Sequence, residues 1–69
     1  MKRYKKSYVK AKKVMVDDYF KVAGLLYRVS RTIKFDDDVE ISAYLPSSNC
    51  ETIVLLIPKR TIVKIWNQA

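Results

Sequence analysis

The chain of 69 residues has no histidine, one cysteine (Cys50) and one glycine (Gly24). A single cysteine excludes an internal disulfide, and without histidine the usual Cys/His zinc sites are excluded as well. A Ser/His/Asp triad cannot form, and a glycine-rich phosphate-binding loop is absent. We therefore expect a small binding module rather than an enzyme, with no metal and no cofactor.

Long hydrophobic runs are also missing. The longest, Ile53–Ile57, is far shorter than the about 20 residues that span a bilayer. The basic N-terminal segment is not followed by the apolar stretch of a signal peptide. We expect a single domain with no transmembrane segment, not secreted, and located in the cytoplasm, or in the host cytoplasm if the chain is viral.

Positive charge is abundant and confined to one end. The net charge is +7, yet residues 14–69 hold seven cations and all seven acids. The excess therefore lies in residues 1–13, which contain no acid. Its seven cations are Lys2, Arg3, Lys5, Lys6, Lys10, Lys12 and Lys13.

Short segments of alternating polarity indicate β-strands over most of the chain. The predicted strands are Tyr19–Val22, Leu25–Phe35, Val39–Leu45, Ile53–Ile57 and Thr61–Trp66. Within the long second segment, residues 25, 27, 29, 33 and 35 form an apolar face, to which Arg31 is the exception. Gly24 is expected at positive φ in the turn before this segment, and Asp17-Asp18 predicts a turn before Tyr19–Val22. In Val39–Leu45, residues 39, 41, 43 and 45 alternate with 40, 42 and 44, which predicts one buried face and one exposed face. The pattern predicts an all-β fold of five to six antiparallel strands.

Two segments decide how such a sheet would close. For Val9–Val16 we favour a strand, although Tyr4, Tyr8, Ala11 and Met15 fall at helical spacing. Ile53–Ile57 is apolar on both faces, so it is expected in the middle of a sheet or where a small sheet curls over its core. Paired with Thr61–Trp66 it would close a barrel, with Trp66 as the lid at one end; in the alternative interpretation Trp66 and Tyr44 are exposed platforms for stacking. The organisation is then a flexible basic arm, 1–8, and a barrel domain, 9–69.

The segment Ile57–Ile65, a strand, a proline-marked turn and a last strand, resembles the end of SH3-like barrels. Val16–Val29, a short strand, a glycine turn and a longer strand, is similar to the opening of KOW-type and translation-factor SH3-like domains. The resemblance implies a small antiparallel SH3-like barrel with a basic N-terminal arm. Such barrels commonly bind nucleic acid or peptides. The resemblance carries over no site residue.

The basic segment with its interleaved tyrosines is the main functional signal. Its seven cations could neutralise phosphates of DNA or RNA with little sequence specificity, and Tyr4 and Tyr8 could stack on unpaired bases. Arg28 and Arg31 would provide a secondary surface, extended by Lys21 and Lys64 if these share its face. An ordinary solvated strand face is the alternative interpretation of that surface.

A second hypothesis is an interaction or assembly subunit, encoded by a virus or mobile element. Its basic arm would bind an acidic protein, and its edge strands would pair with another chain or form a homo-oligomer.

Overall fold

The structure is a computed structural model and describes residues 4–47 and 51–68. It confirms the all-β prediction, with six strands and one short 3₁₀ turn, Ala11–Lys13. In chain order the strands are β1 (Tyr4–Lys10), β2 (Tyr19–Val22), β3 (Leu25–Lys34), β4 (Asp38–Tyr44), β5 (Thr52–Pro58) and β6 (Ile62–Gln68).

All six strands belong to one antiparallel sheet, in the order β1-β6-β2-β3-β4-β5. Strands β2 to β5 form a meander, after which β6 returns to lie between β1 and β2. Over the described residues no pairing joins β1 to β5, so the sheet stays open. The closed barrel predicted from the sequence is therefore wrong at this point.

The core lies against one face of this sheet, which we call the core face. Val14, from the loop after the 3₁₀ turn, joins residues of β2, β3, β4 and β6 in one buried cluster. Half-buried side chains of β1 and β5, including Val9 and Leu55, pack against it. Because all six strands contact a single cluster, the sheet must curl around it. The opposite side, the outer face, is left to solvent.

Strand β5 occupies an edge of the sheet, not its middle. Among the described strands it pairs only with β4, and β6 pairs with β1 and β2, so the predicted pairing of the last two strands is wrong. Ile53, Leu55 and Ile57 are half-buried on the core face. On the outer face Val54 and Leu56 stay 59% and 62% exposed. Because the sheet curls, β5 lies over the core although it is an edge strand. This explains the apolar residues on its core face but not Val54 and Leu56 on its outer face.

The first strand begins earlier than predicted, at Tyr4, and ends at Lys10, in place of a strand over Val9–Val16. It pairs with β6 along its whole length, so residues 4–8 of the expected arm lie in the sheet. Lys2 and Arg3 lie outside the described residues. The chain then turns, held by the Ala11 N–H, which donates to the Thr61 carbonyl at 2.8 Å. The alternative helix across this segment does not form.

A bulge in β3 explains why Arg31 broke the predicted pattern. Val29 lies opposite Ala43, but Arg31 lies opposite Ser42, so one extra residue is inserted at Ser30. Beyond a bulge the side chains change faces. Arg31 is thereby placed on the outer face, and the predicted core-side position of Ile33 is wrong.

The β2–β3 hairpin turns on Ala23 and Gly24, both at positive φ (52° and 79°). This is the backbone of a type I′ turn, whose twist matches that of the flanking strands. The positive φ of Gly24 confirms the prediction made for it from the sequence. Ala23 carries the conformational cost of a left-handed residue with a Cβ, a position that asparagine occupies more readily.

We expect the two turn residues to respond oppositely to substitution. Ala23→Asn should raise the free energy of unfolding by about 0.5–1 kcal/mol, because asparagine tolerates the left-handed region. Gly24→Ala should lower it by about 1 kcal/mol. A Cβ at Gly24 would meet nothing within 4 Å, so that loss is purely conformational. Urea denaturation measures both changes, and a shift of both variants in the same direction would contradict this assignment of the turn.

Candidate functional site

One row of side chains crosses the entire outer face, one residue from each strand. The pairing register places Lys6, Trp66, Tyr19, Arg28, Tyr44 and Thr52 side by side, from β1 to β5. Adjacent strands are about 4.8 Å apart, so this cross-strand row is roughly 24 Å long. It combines two cations with three aromatic rings on an exposed surface.

Two aromatic rings of the row, Tyr19 and Trp66, contact neighbouring side chains of the outer face. The Tyr4 ring packs edge-on against Tyr19, with centroids 5.2 Å apart. The ammonium nitrogens of Lys21 and Lys64 lie 5.0 and 5.3 Å from the Trp66 ring centroid. These are cation–π distances. Two cations at one indole ring give that part of the surface a strongly positive potential.

The Asp17–Asp18 turn holds the middle of the row. Asp17 has a positive φ of 77°. Its Oδ1 accepts a hydrogen bond from Arg28 Nε at 3.0 Å and forms a salt bridge with Arg28 Nη2 at 2.8 Å. Asp18 is buried, and its Oδ2 accepts a hydrogen bond from the Met15 N–H at 2.9 Å. Its carbonyl accepts from the Val29 N–H. The turn predicted from the sequence thus fixes where Tyr19 starts and where Arg28 points.

Two groups of the row have shifted pKa values. Burial, followed by the hydrogen bond with Tyr4, raises the pKa of Tyr19. The hydrogen bond to Asp17, together with that carboxylate's charge, raises the pKa of Arg28. Tyr19 is therefore a neutral ring and Arg28 a fixed cation at neutral pH. The Arg28 guanidinium also lies 5.9 Å from the Tyr19 ring centroid.

Part of the predicted site comes together on the outer face. The strand register places six of its members there: Tyr4, Lys6, Tyr8, Lys10, Arg28 and Arg31. Lys21 and Lys64 also lie on that face, which was the condition for their extending the predicted secondary surface. The acids of the β3–β4 hairpin lie far away, because Arg28 and Lys34 are six residues, or about 20 Å, apart along β3.

Three further predicted residues within the described part of the chain, Lys5, Lys12 and Lys13, are not part of this surface. Lys5 points to the opposite side of β1 from Lys6, since side chains alternate along a strand. Lys12 and Lys13 lie in the 3₁₀ turn, at the hairpin end of the sheet. There the Lys12 N–H approaches the Lys59 carbonyl at 3.4 Å, and the Lys59 N–H donates to the Asp37 carbonyl at 2.9 Å. The cations of this end therefore lie among acids.

Sequence reasoning considered Trp66 and Tyr44 as stacking platforms but did not include them in the predicted site, and it missed Tyr19. Trp66 is half-buried on the outer face between Lys6 and Tyr19, so its expected role as a barrel lid is wrong. Tyr19 and Tyr44 join it only through pairing across β6, β2, β3 and β4. The alternation of polar and apolar residues was enough to assign each of these three aromatic residues to the polar face of its own strand. The register that aligns them is a tertiary property.

No family model, no curated protein and no solved structure matches the chain. Among the described residues no helix is long and apolar enough to cross a membrane.

Removing the Asp18 side chain should loosen the turn that supports the row. Asp18→Ala would leave the Met15 N–H without its acceptor and lower the free energy of unfolding by about 1–3 kcal/mol. Asp18→Asn keeps an oxygen acceptor and is the matched control. Thermal unfolding followed by circular dichroism compares them, and equal losses in both variants would contradict a specific role for the hydrogen bond.

Proposed function

We propose that the protein binds single-stranded nucleic acid, DNA or RNA, across the outer face of its sheet with little sequence preference. The observation that carries the proposal is the cross-strand row, which combines aromatic rings with cations on an exposed surface. Rings that stack on bases and cations that contact phosphates are the two components of sequence-tolerant single-strand binding. Paired bases are already stacked within a duplex, so a duplex could use only the cations.

Each component has its own residues in this proposal. Tyr4, Tyr19 and Trp66 offer rings to bases. Phosphates are contacted by the cations of the same face that lie nearer the row, Lys6, Lys21, Arg31 and Lys64, whereas Lys10 lies at the hairpin end of β1. Arg28 is paired with Asp17 and contributes position rather than free charge.

The strand order supports a second part of the proposal, an SH3-like fold. The β2–β5 meander is followed by the Pro58–Thr61 turn and a final strand that pairs back with β2. The sequence resemblance rests on the same segment, in which a strand, a proline-marked turn and a last strand follow one another. In this proposal β1 is an added strand that places Tyr4 and Lys6 beside the β6 end of the row.

The single tryptophan of the chain allows a direct test of stacking. We expect oligothymidylate to quench Trp66 fluorescence in a saturable manner, since a base stacked on the indole contributes about 1–3 kcal/mol. A duplex of equal length should bind more weakly and quench less. An unchanged emission spectrum at saturating oligonucleotide, with anisotropy confirming binding, would contradict the use of Trp66.

A pair of double variants tests which cations contact the strand. Lys21→Ala/Lys64→Ala should lower the logarithmic salt slope by about 1.4, since each phosphate contact on a single strand contributes about 0.7. At 0.1 M salt this corresponds to about 25-fold weaker binding. Fluorescence anisotropy at several salt concentrations measures both quantities.

The matched control, Lys12→Ala/Lys13→Ala, removes the same two charges from the hairpin end. Lys6, the β1 member of the row, is about 13 Å from Lys10 along the strand. Lys12 and Lys13 follow Lys10, so their distance from Lys6 exceeds the Debye length of about 10 Å. The control should bind nearly as well as the unmodified chain. Equal loss in both double variants would contradict the outer-face site and favour general attraction by the basic N-terminal segment. Absence of binding at low salt would favour an acidic protein partner instead.

A further inference from the structure

Within residues 4–47 and 51–68, strand β5 pairs with β4 on one side and has a free edge on the other, and the chemistry of that edge does not fit an isolated molecule. Its outer-face residues Val54 and Leu56 are more than half exposed, and residues 52–57 carry no charge. Edge strands usually carry lysines or inward charges that prevent pairing with another chain. The other edge strand, β1, has such residues in Lys5, Lys6 and Lys10. The two edges of this sheet are therefore unlike.

The hydrogen bonds at the two ends of the β4–β5 ladder determine which backbone groups are free. Leu45 N–H donates to the Glu51 carbonyl at 3.0 Å, and Lys59 N–H to the Asp37 carbonyl at 2.9 Å. In an antiparallel ladder hydrogen-bonded pairs alternate, so residues 53, 55 and 57 bond to β4. The N–H and C=O groups of 52, 54 and 56 then point to the free edge.

Pro58 is consistent with this assignment. It lies opposite Asp38, two residues on from Leu56, so its nitrogen also faces the free edge. A proline there removes no hydrogen bond to β4, which explains how β5 can include it.

From these features we propose that β5 pairs antiparallel with β5 of a second copy, about a two-fold axis through Leu55. In that register Val54 of each copy lies opposite Leu56 of the other, and both residues present free N–H and C=O groups. Thr52 lies opposite Pro58, whose carbonyl can accept the Thr52 N–H. Apolar residues meet apolar residues on both faces, as an isologous contact requires.

Charge favours a second copy as the occupant. The net charge of +7 comes entirely from residues 1–13, of which Tyr4–Lys10 form the opposite edge strand, β1. Pairing through β5 leaves the lysines of β1 out of the contact. An uncharged strand has no means of selecting an acidic or basic peptide. Self-pairing through β1 would bring lysines together.

The dimer would be one continuous sheet of twelve strands, with both outer faces on the same side. Edge-to-edge pairing about an axis perpendicular to the sheet preserves its faces. This inference does not depend on nucleic-acid binding. If both hold, two cross-strand rows would be available to one strand of nucleic acid.

Sedimentation equilibrium of the full chain, free of nucleic acid, tests the proposal. We expect a monomer–dimer equilibrium that persists at high salt, because the interface is apolar and uncharged. Leu56→Lys should raise the dimer dissociation constant about tenfold or more, by placing a gatekeeper charge on the edge. Met15→Lys adds the same charge at a residue 69% exposed in a loop and should leave it unchanged. A chain that stays monomeric, or one that dimerises equally well with Leu56→Lys, would overturn the proposal.

Val54→Pro gives a second and independent readout. It removes an N–H that points to the free edge while leaving the β4 ladder intact, so folding is preserved and pairing is lost. In the unmodified chain, hydrogen exchange at the Val54 and Leu56 amides should slow as protein concentration rises. Exchange rates at both amides that do not change with protein concentration would also overturn the proposal. That is the result expected if the edge pairs with a different chain and not with a second copy.

Discussion

The structure depends on one constraint: a single sheet of six strands must enclose a core by itself. No second layer of helices or strands is described, so each strand gives one face to the cluster around Val29, Ile41 and Ala43. These three side chains are at most 1% exposed. Curling around them leaves an outer face with no covering layer. Most of that face can therefore carry polar and aromatic residues at little cost to stability.

The same constraint gives the outer face its order. Strands held in register by the core align their outer residues in rows, and one row contains Lys6, Trp66, Tyr19, Arg28 and Tyr44. The lysine–indole contacts and the Arg28–Asp17 pair then position the side chains within it. The β3–β4 hairpin keeps its acids about 20 Å from the row along β3, and Asp17 beside the row is paired with Arg28. A surface of this kind would orient a polyanion across the sheet.

Sequence reasoning reached the parts of the fold that depend on local pattern. Alternation over β4 predicted its buried residues, and turn chemistry predicted Asp17–Asp18 and Gly24. It was wrong where pairing decides the outcome. The apolar run of β5 indicated a central strand, yet it lies at an edge, and the bulge at Ser30 moved Arg31 to the outer face. Half of the candidate site was likewise hidden, because Trp66 and Tyr19 become neighbours only when β6 pairs with β2.

The claim that the outer face is the binding surface is tested most directly by an NMR titration of the full chain with oligothymidylate. The account predicts that amide shifts change along the cross-strand row and its neighbours on β1, β6, β2 and β3. The amide chemical shifts of Lys12, Lys13 and the Asp36–Asp38 hairpin should not change. Perturbations concentrated at that hairpin end, with the row unaffected, would contradict the account and assign binding to the cations of the 3₁₀ turn.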